Sequence, residues 1–248
     1  MPAPYSGINR ASHRHLDGSR ALLSWLYHLH VLSGKPYPFN RWARHHEQII
    51  DWFSDVHRDI VEKFSVTTGV MQNPVSIFTA AEQYVLYCAR QGFVYSKATI
   101  APQYHVFGDS FTPKGLLTEE DVMNILLNGV KAGEKKAKEE TGHDIKVPLL
   151  FGIGREVPPE EAERLVRIAA KFDPEDVPGI TLVCNEPNNP PEKHIGAFLL
   201  AKEMGMRERR CHVEWVKDRK DEEKNTPEKI RRNYEEDKPQ LRKNLETA

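Results

Sequence analysis

The chain has 248 residues, of which 39% are hydrophobic and 29% charged, a composition that supports one large domain core. Its 35 lysines and arginines nearly balance its 36 aspartates and glutamates, so no net charge attracts nucleic acid or an anionic membrane. No apolar run is as long as a membrane span, the first residues lack the regions of a signal peptide, and three scattered cysteines form no disulfide framework. Composition therefore predicts a cytoplasmic protein without nucleic-acid or membrane partners.

Strands and helices are predicted to alternate along the chain. Three β-branched or apolar runs predict strands over 93–100, 145–151 and 179–183, and two polar runs over 8–12 and 207–212 are also predicted as strands. Apolar residues at helical spacing, with capping or proline signals, predict helices over 20–32, 42–64, 74–91, 118–140, from 158 onwards and over 191–205. This alternation is typical of an α/β fold with parallel strands, and residues 1–248 are predicted to form a single domain.

The last part of the chain differs in composition. Lysine, arginine, glutamate and aspartate dominate residues 217–248, and apolar positions are few. A nucleic-acid-binding arm carries a block of like charge, which this segment lacks. We expect a charged, weakly packed tail that is solvated.

The first candidate site is a His-x-His pair near the start of the chain. Residues i and i+2 of an extended strand point to the same side, so His13 and His15 can present two imidazoles to one metal ion. Asp17 follows them before a turn at Gly18. Two imidazoles are half of a typical zinc site, and a catalytic site adds a third ligand and an open position. A second pair, His28 and His30, lies in a predicted helix, where i and i+2 do not face one another.

Further chemistry-bearing groups follow the later predicted strands. These clusters lie at 101–105, 184–187 and 211–215. In a barrel of parallel strands, functional side chains lie at the C-terminal ends of the strands. Together with the His-x-His pair these make four clusters, and three of the four offer groups that can ligate metal or move protons. His105 itself is expected to be a solvated loop residue.

Several collinear segments carry a family resemblance. They begin with His-Arg-His-Leu-Asp-Gly-Ser and include Ile-Ala-Pro-Gln-Tyr-His, Phe-Gly-Ile-Gly-Arg-Glu and Asn-Glu-Pro, lying at 13–19, 64–72, 100–105, 115–118, 151–156, 179–182, 185–187 and around His212. On these segments the chain resembles the adenosine deaminase family of metal-dependent amidohydrolases. The resemblance implies a TIM-type (β/α)8 barrel that binds one zinc ion and a purine nucleoside. The implied reaction replaces the 6-amino group of adenosine with oxygen, giving inosine and ammonia.

The resemblance also implies roles for individual residues. His13, His15 and His212 match the zinc ligands. Zinc lowers the pKa of its bound water to about 7, so hydroxide is available at neutral pH. Glu214 resembles the glutamate that protonates the purine ring at N1, as a general acid beside the metal.

Two further positions match the part of the site that holds the substrate. Asp17 matches the carboxylate that contacts the ribose, and Phe64 is expected to form part of an apolar wall over the substrate. A rival interpretation takes His212-x-Glu214 as the motif of cytidine-type zinc deaminases. That motif requires a later Pro-Cys-x-x-Cys, and no cysteine follows Cys211.

The chain also departs from the family pattern. Glu214 stands one residue closer to His212 than the family's glutamate, and Cys184-Asn185 replace a glycine and an aspartate beside the purine edge. Lys97 and Thr99 replace a glutamate and an arginine on the second strand. The family's general-base histidine and a zinc-binding aspartate would follow residue 248, so about five of eight barrel strands are expected here. The alternative function is therefore a non-catalytic, truncated or degenerate protein that binds a nucleoside or a partner.

Overall fold

The computed structural model describes residues 9–11, 14–34, 49, 52–53, 55, 60–184 and 189–211. The strands are β1 (Asn9–Ala11), β2 (Phe93–Ser96), β3 (Ala98–Ile100), β4 (Leu149–Gly154), β5 (Gly179–Val183) and β6 (Glu208–Cys211). The helices are α1 (Arg20–Ser33), α2 (Ile60–Gly69), α3 (Pro74–Arg90), α4 (Glu119–Thr141), α5 (Pro159–Ala169) and α6 (Ile195–Glu203). Short 3-10 turns lie at Pro102–Tyr104 and Pro191–His194.

All the pairings between these strands are parallel and follow chain order. β1 pairs with β2, and β3, β4, β5 and β6 pair in succession. β2 and β3 are separated only by Lys97, and a bridge between His15 and Thr99 joins the end of the first strand to β3. The described strands therefore occupy five successive positions of a parallel sheet with helical crossovers, which is part of a (β/α)8 barrel, as predicted.

The central strands β3, β4 and β5 are buried on both faces, as strands of parallel sheets with helical crossovers are. Every residue of β4 and of β5 is buried, and the side chains of Phe151, Ile153 and Leu182 belong to one continuous core with the helices. Within the described part of the chain, no helix is long and apolar enough to cross a membrane.

The long helix predicted over 42–64 is wrong in its extent. Trp52 and Phe53 are helical, but Asp55 is not, and α2 begins at Ile60 and continues beyond the predicted end. The carbonyl of Asp55 accepts a hydrogen bond of 2.6 Å from the Lys63 ammonium. Aspartate competes with helical backbone bonding and favours helix ends, which explains the interruption.

Two predicted strands also have different bounds. The strand predicted over 93–100 is divided at Lys97, and the one predicted over 145–151 lies at Leu149–Gly154. Pro148 has no N–H for a ladder, so the residues before it contribute only a bridge from Lys146 to β2. Gly152 continues β4 instead of ending it. A Cβ there would lie 3.1 Å from the carbonyl oxygen of Ile100 on the neighbouring strand, so the close approach of the two strands favours glycine.

Two glycines allow α3 and α4 to pack closely. A Cβ on Gly129 would lie 2.5 Å from the carbonyl oxygen of Phe78, and one on Gly133 would lie 2.9 Å from that of Glu82. Both obstacles are backbone atoms of α3, which cannot rotate away. The spacing of four residues puts both glycines on one face of α4. The helix α3 in turn packs against β2, so this helix interface covers that side of the sheet.

We expect Gly129→Ala to lower the free energy of unfolding by about 1–3 kcal/mol, because the added methyl overpacks the helix interface. Lys135→Ala, at an exposed position of the same helix, is the matched control and should change stability by less than about 0.5 kcal/mol. Urea denaturation measures both values. Equal stability of the two variants would contradict the close packing of α3 and α4.

Candidate functional site

A parallel β-bridge positions the opening motif beside β3. The Thr99 amide donates to the Arg14 carbonyl at 2.7 Å, and the Leu16 amide donates to the Thr99 carbonyl at 2.9 Å. His15 is therefore the bridge partner of Thr99, and their side chains lie on the same face of the sheet. The chain then turns, and the hydroxyl of Ser19 accepts from the Leu22 amide and so caps α1.

Phe64 of α2 contacts this motif, as a residue forming an apolar wall would. Its ring meets the imidazole of His15 edge to face, with 5.5 Å between the ring centroids. A Cβ on Gly18 would lie only 2.9 Å from the ring, so the ring has room because residue 18 is glycine. Phe64 is half-buried and therefore also faces open space.

Asp17 is buried beside a histidine that the sequence did not select. The residue is 4% exposed, and its Oδ2 lies 3.7 Å from Nε2 of His105. His105 was expected to be solvated, but it is fully buried. Its Nδ1 lies 3.0 Å from the carbonyl oxygen of Met71, in the connection between α2 and α3.

Several buried polar atoms around the opening motif lack hydrogen-bond partners in the part of the chain that the structure describes. They are Oδ1 of Asp17, Nε2 of His105 and Oγ1 of Thr99. Buried polar groups are normally paired, and leaving one unpaired costs about 1–3 kcal/mol. An incompletely satisfied polar cluster is typical of a place where a ligand or water completes the hydrogen bonding.

The loops after β3, β4 and β5 contribute a second group of side chains. The hydroxyl of Tyr104 donates a short hydrogen bond to Glu156, and glycine at position 154 leaves space for that hydroxyl. Burial and the neighbouring thiol of Cys184 and carboxylate of Glu156 raise the pKa of Tyr104 above its ordinary value. Tyr104 is therefore a neutral hydrogen-bond donor at physiological pH.

Cys184 has a left-handed backbone conformation, with a φ of 70°. Such a φ is uncommon for residues other than glycine and stores strain. By resemblance this is the position of the family's glycine, so the backbone keeps the turn that a glycine favours. The thiol side chain is half-buried near Tyr104.

The loop after β4 is held by residues of the following unit. The Lys193 ammonium donates to the carbonyls of Arg155 at 3.0 Å and Glu156 at 3.2 Å, and Nε2 of His194 lies 2.9 Å from the carbonyl oxygen of Arg155. The guanidinium of Arg155 is fully buried and donates to the Asn189 carbonyl at 3.3 Å. These bonds fix where Glu156 lies.

The structure brings together three of the predicted site residues, namely His15, Asp17 and Phe64. His13, His212 and Glu214 lie outside the described residues. Among the residues that are described, no three histidine, cysteine or acidic side chains are grouped as a metal site requires. His28 is exposed and His30 is buried, so the second His-x-His pair does not share a face, as expected.

Sequence reasoning placed Tyr104, His105 and Glu156 in segments that match the family but assigned no role to any of them, and it favoured a solvated position for His105. All three follow the C-terminal ends of β3 or β4, where barrel sites are built, and that position was the available signal. Burial decided between a solvated and a functional histidine, and burial cannot be read from a loop sequence. The predicted tail over 217–248 also lies outside the described residues.

Comparison with known families decides the affiliation of the chain. The model of the family described as adenosine deaminase matches residues 11–212. The chain belongs to the adenosine deaminase family. The matched range includes the opening motif, all the helices and strands of the described barrel except the first residues of β1, and the predicted third ligand.

Curated relatives in this family share part of the chain. An adenosine deaminase from Mycobacteroides abscessus is 30% identical over 138 residues, which are 56% of this chain and 35% of the relative. The matched segment thus spans about a third of the relative's length. Because it belongs to this family, the chain is related to deaminases, which are hydrolases.

Solved structures of the same fold cover more of the chain. An amidohydrolase from Burkholderia ambifaria with bound zinc superposes with a TM-score of 0.60 and 20% identity, covering 83% of this chain and 51% of that one. A protein named ADAL from Arabidopsis, complexed with GMP, gives a TM-score of 0.61 and 18% identity over 83% of this chain and 57% of its own. These similarities establish the barrel fold.

The strain at Cys184 is measurable with a matched pair of variants. We expect Cys184→Gly to be more stable than Cys184→Ala by about 1 kcal/mol, because only glycine adopts the left-handed conformation without strain. Both variants remove the thiol, so the difference reports the backbone alone. Thermal or urea denaturation gives the two free energies. An alanine variant as stable as the glycine variant would contradict the left-handed conformation.

Proposed function

We propose that the chain binds a purine nucleoside in zinc-dependent hydrolytic deamination, converting adenosine to inosine and ammonia. The observation that carries this proposal is the position of the opening motif. The family-matched His15 and Asp17 lie together at the end of the first strand position, with a buried carboxylate oxygen that has no partner in the described part of the chain. A nucleoside supplies hydroxyl donors that such an oxygen accepts.

Zinc fits the proposed donor set. Three neutral imidazoles with an open fourth position form a common catalytic zinc site. His15 provides one such imidazole at the end of a strand, and we propose His13 and His212 as the others. The buried hydroxyl of Thr99 on the same sheet face shows that this region is polar as well as enclosed. When bound, zinc supplies activated water for hydrolysis.

The chain's own residues are proposed to hold the substrate and move one proton. Asp17 binds a ribose hydroxyl, Phe64 covers the purine with its half-buried ring, and Glu214 protonates the purine at N1. Support for a small purine ligand comes from the similar Arabidopsis structure, which is complexed with GMP. The choice among adenosine, adenine and AMP depends on substrate assays, and we propose adenosine because the curated relatives that match part of the chain are adenosine deaminases.

Nucleoside binding without turnover is the second candidate. The observation favouring it is Cys184, which has a φ of 70° where the resemblance places a glycine beside the purine edge, so a larger side chain stands there. Zinc content and the absorbance change on adenosine deamination distinguish the two. Stoichiometric zinc with turnover supports the enzyme, and binding of adenosine without turnover supports the second candidate. In either case we propose a cytoplasmic protein.

His15→Ala should remove most of the bound zinc and abolish any adenosine turnover, because the site loses one of its imidazoles. His28→Ala is the matched control, since His28 is an exposed histidine of α1 that contacts Trp25 and Tyr27. It should keep both zinc and turnover. Elemental analysis of the purified protein and an ultraviolet assay measure the outcome. Loss of zinc in neither variant would refute the assignment of His15 as a ligand.

A further inference from the structure

His105 occupies a built position beside Asp17. Its imidazole is fully buried and its backbone amide donates to the Pro102 carbonyl at 2.9 Å. Nδ1 lies 3.0 Å from the Met71 carbonyl oxygen, which can only accept, so Nδ1 carries a proton. This contact fixes the plane of the ring and directs Nε2 towards the carboxylate of Asp17.

Gln72 clamps the loop that carries this histidine. Its side-chain amide donates to the Tyr104 carbonyl at 2.7 Å, and its amide oxygen accepts from the Phe107 amide at 2.9 Å. These two bonds bracket His105 in sequence, while the neighbouring Met71 holds the ring. The histidine is thus fixed at its backbone, on both sides in the chain and at one ring nitrogen.

The hydrogen bonding of the His105 imidazole and the Asp17 carboxylate, which face each other, is incomplete. Nε2 of His105 and Oδ2 of Asp17 are 3.7 Å apart, beyond hydrogen-bond distance. Nε2 and the other carboxylate oxygen, Oδ1, have no hydrogen-bond partner in the described part of the chain. Because Nδ1 already carries a proton, the ring attracts Oδ2 when Nε2 is protonated as well, and this leaves Oδ1 for another donor.

We propose that His105 is a positioning residue that orients the Asp17 carboxylate towards a hydroxyl group of the nucleoside sugar. This inference rests on the proposed nucleoside binding. It adds a residue that acts through Asp17 rather than on the reacting atoms. With both ring nitrogens protonated, the imidazole attracts Oδ2, and the sugar hydroxyl donates to Oδ1, which gives this carboxylate oxygen the partner it lacks in the described part of the chain.

Equilibrium binding of the full chain tests the proposal without requiring turnover. Calorimetry gives dissociation constants for adenosine, for its 2′-, 3′- and 5′-deoxy analogues, and for adenine, which has no sugar. The deoxy analogue that binds the unmodified protein most weakly identifies the hydroxyl that Asp17 accepts. We expect a preference for adenosine over that analogue of about tenfold, as for one hydrogen bond to a charged group.

His105→Asn should lose most of this tenfold preference while binding adenine almost unchanged. The shorter amide can still donate to the Met71 carbonyl but cannot reach Asp17. His105→Gln should recover part of the preference, since its amide can extend towards the carboxylate. Asp17→Ala should lose the same preference, and the double variant with His105→Asn should lose no more, because both residues act through one interaction.

His30→Asn is the control. His30 is another buried histidine, 6% exposed, and no role in the candidate site is assigned to it. It lies in the last turn of α1, about three turns beyond the opening motif. Its substitution should lower stability without changing the ratio of the dissociation constants. A purely structural His105 would behave in the same way, and that result would overturn the proposal.

Ring nitrogen shifts of the unmodified protein, measured by NMR, provide a test that does not depend on folding of the variants. The Nε2 signal of His105 should move when adenosine binds and should move little with adenine. Equal shifts with both ligands would overturn the proposal. Binding of adenosine without turnover would refute the proposed enzyme while leaving the role of His105 intact. Failure to bind any of the five ligands would overturn both.

Discussion

The site depends on the hydrogen bonds that Thr99 makes with the opening segment. Its amide and carbonyl bind Arg14 and Leu16, and this pairing places His15 on the sheet face and starts the turn that carries Asp17. Without it, the opening motif would be a solvated histidine-rich segment, because the motif itself contains few apolar residues. Backbone pairing, which is insensitive to side-chain identity, thus keeps the motif in place even though the family's arginine is replaced by threonine here.

Parallel order explains why separate loops contribute to one end of the sheet. A loop follows the C-terminal end of β3, β4 and β5, and a helix then connects each loop to the next strand. The loop after β3 supplies His105 and Tyr104, the loop after β4 supplies Glu156, and Cys184 follows β5. Hydrogen bonds from Lys193 and Gln72 fix the backbone of these loops, so the side chains occupy rigid positions.

The sequence predicted the fold class and most helices well, because hydrophobic periodicity and end signals were clear. The cap predicted at the start of α4 is a local feature, and the capping box of Thr118 and Asp121 is present as expected. The errors arose where tertiary contacts decided the bounds. Pro148 and the close approach of β3 at Gly152 shifted β4, and pairing with two different partners divided the strand at Lys97.

The site was less predictable than the fold. The resemblance selected Asp17 and Phe64 as substrate-binding residues, and that role stays a prediction; in the structure Phe64 contacts His15 of the opening motif. The resemblance could not show that His105 is buried against Asp17, since the two residues are far apart in sequence and their contact depends on the connection through Met71. Burial of polar groups is decided by packing, which a sequence pattern does not specify.

The bridge between the opening segment and β3 also has a kinetic consequence. Thr99 follows Arg14 by 85 residues, and α1, α2 and α3 lie between them. Contacts of such long sequence separation form late, because the entropy of closing the intervening chain must be overcome first. During synthesis, the opening motif therefore leaves the ribosome long before its partner strand exists. The histidine pair therefore has no fixed geometry until about a further third of the chain has been synthesised.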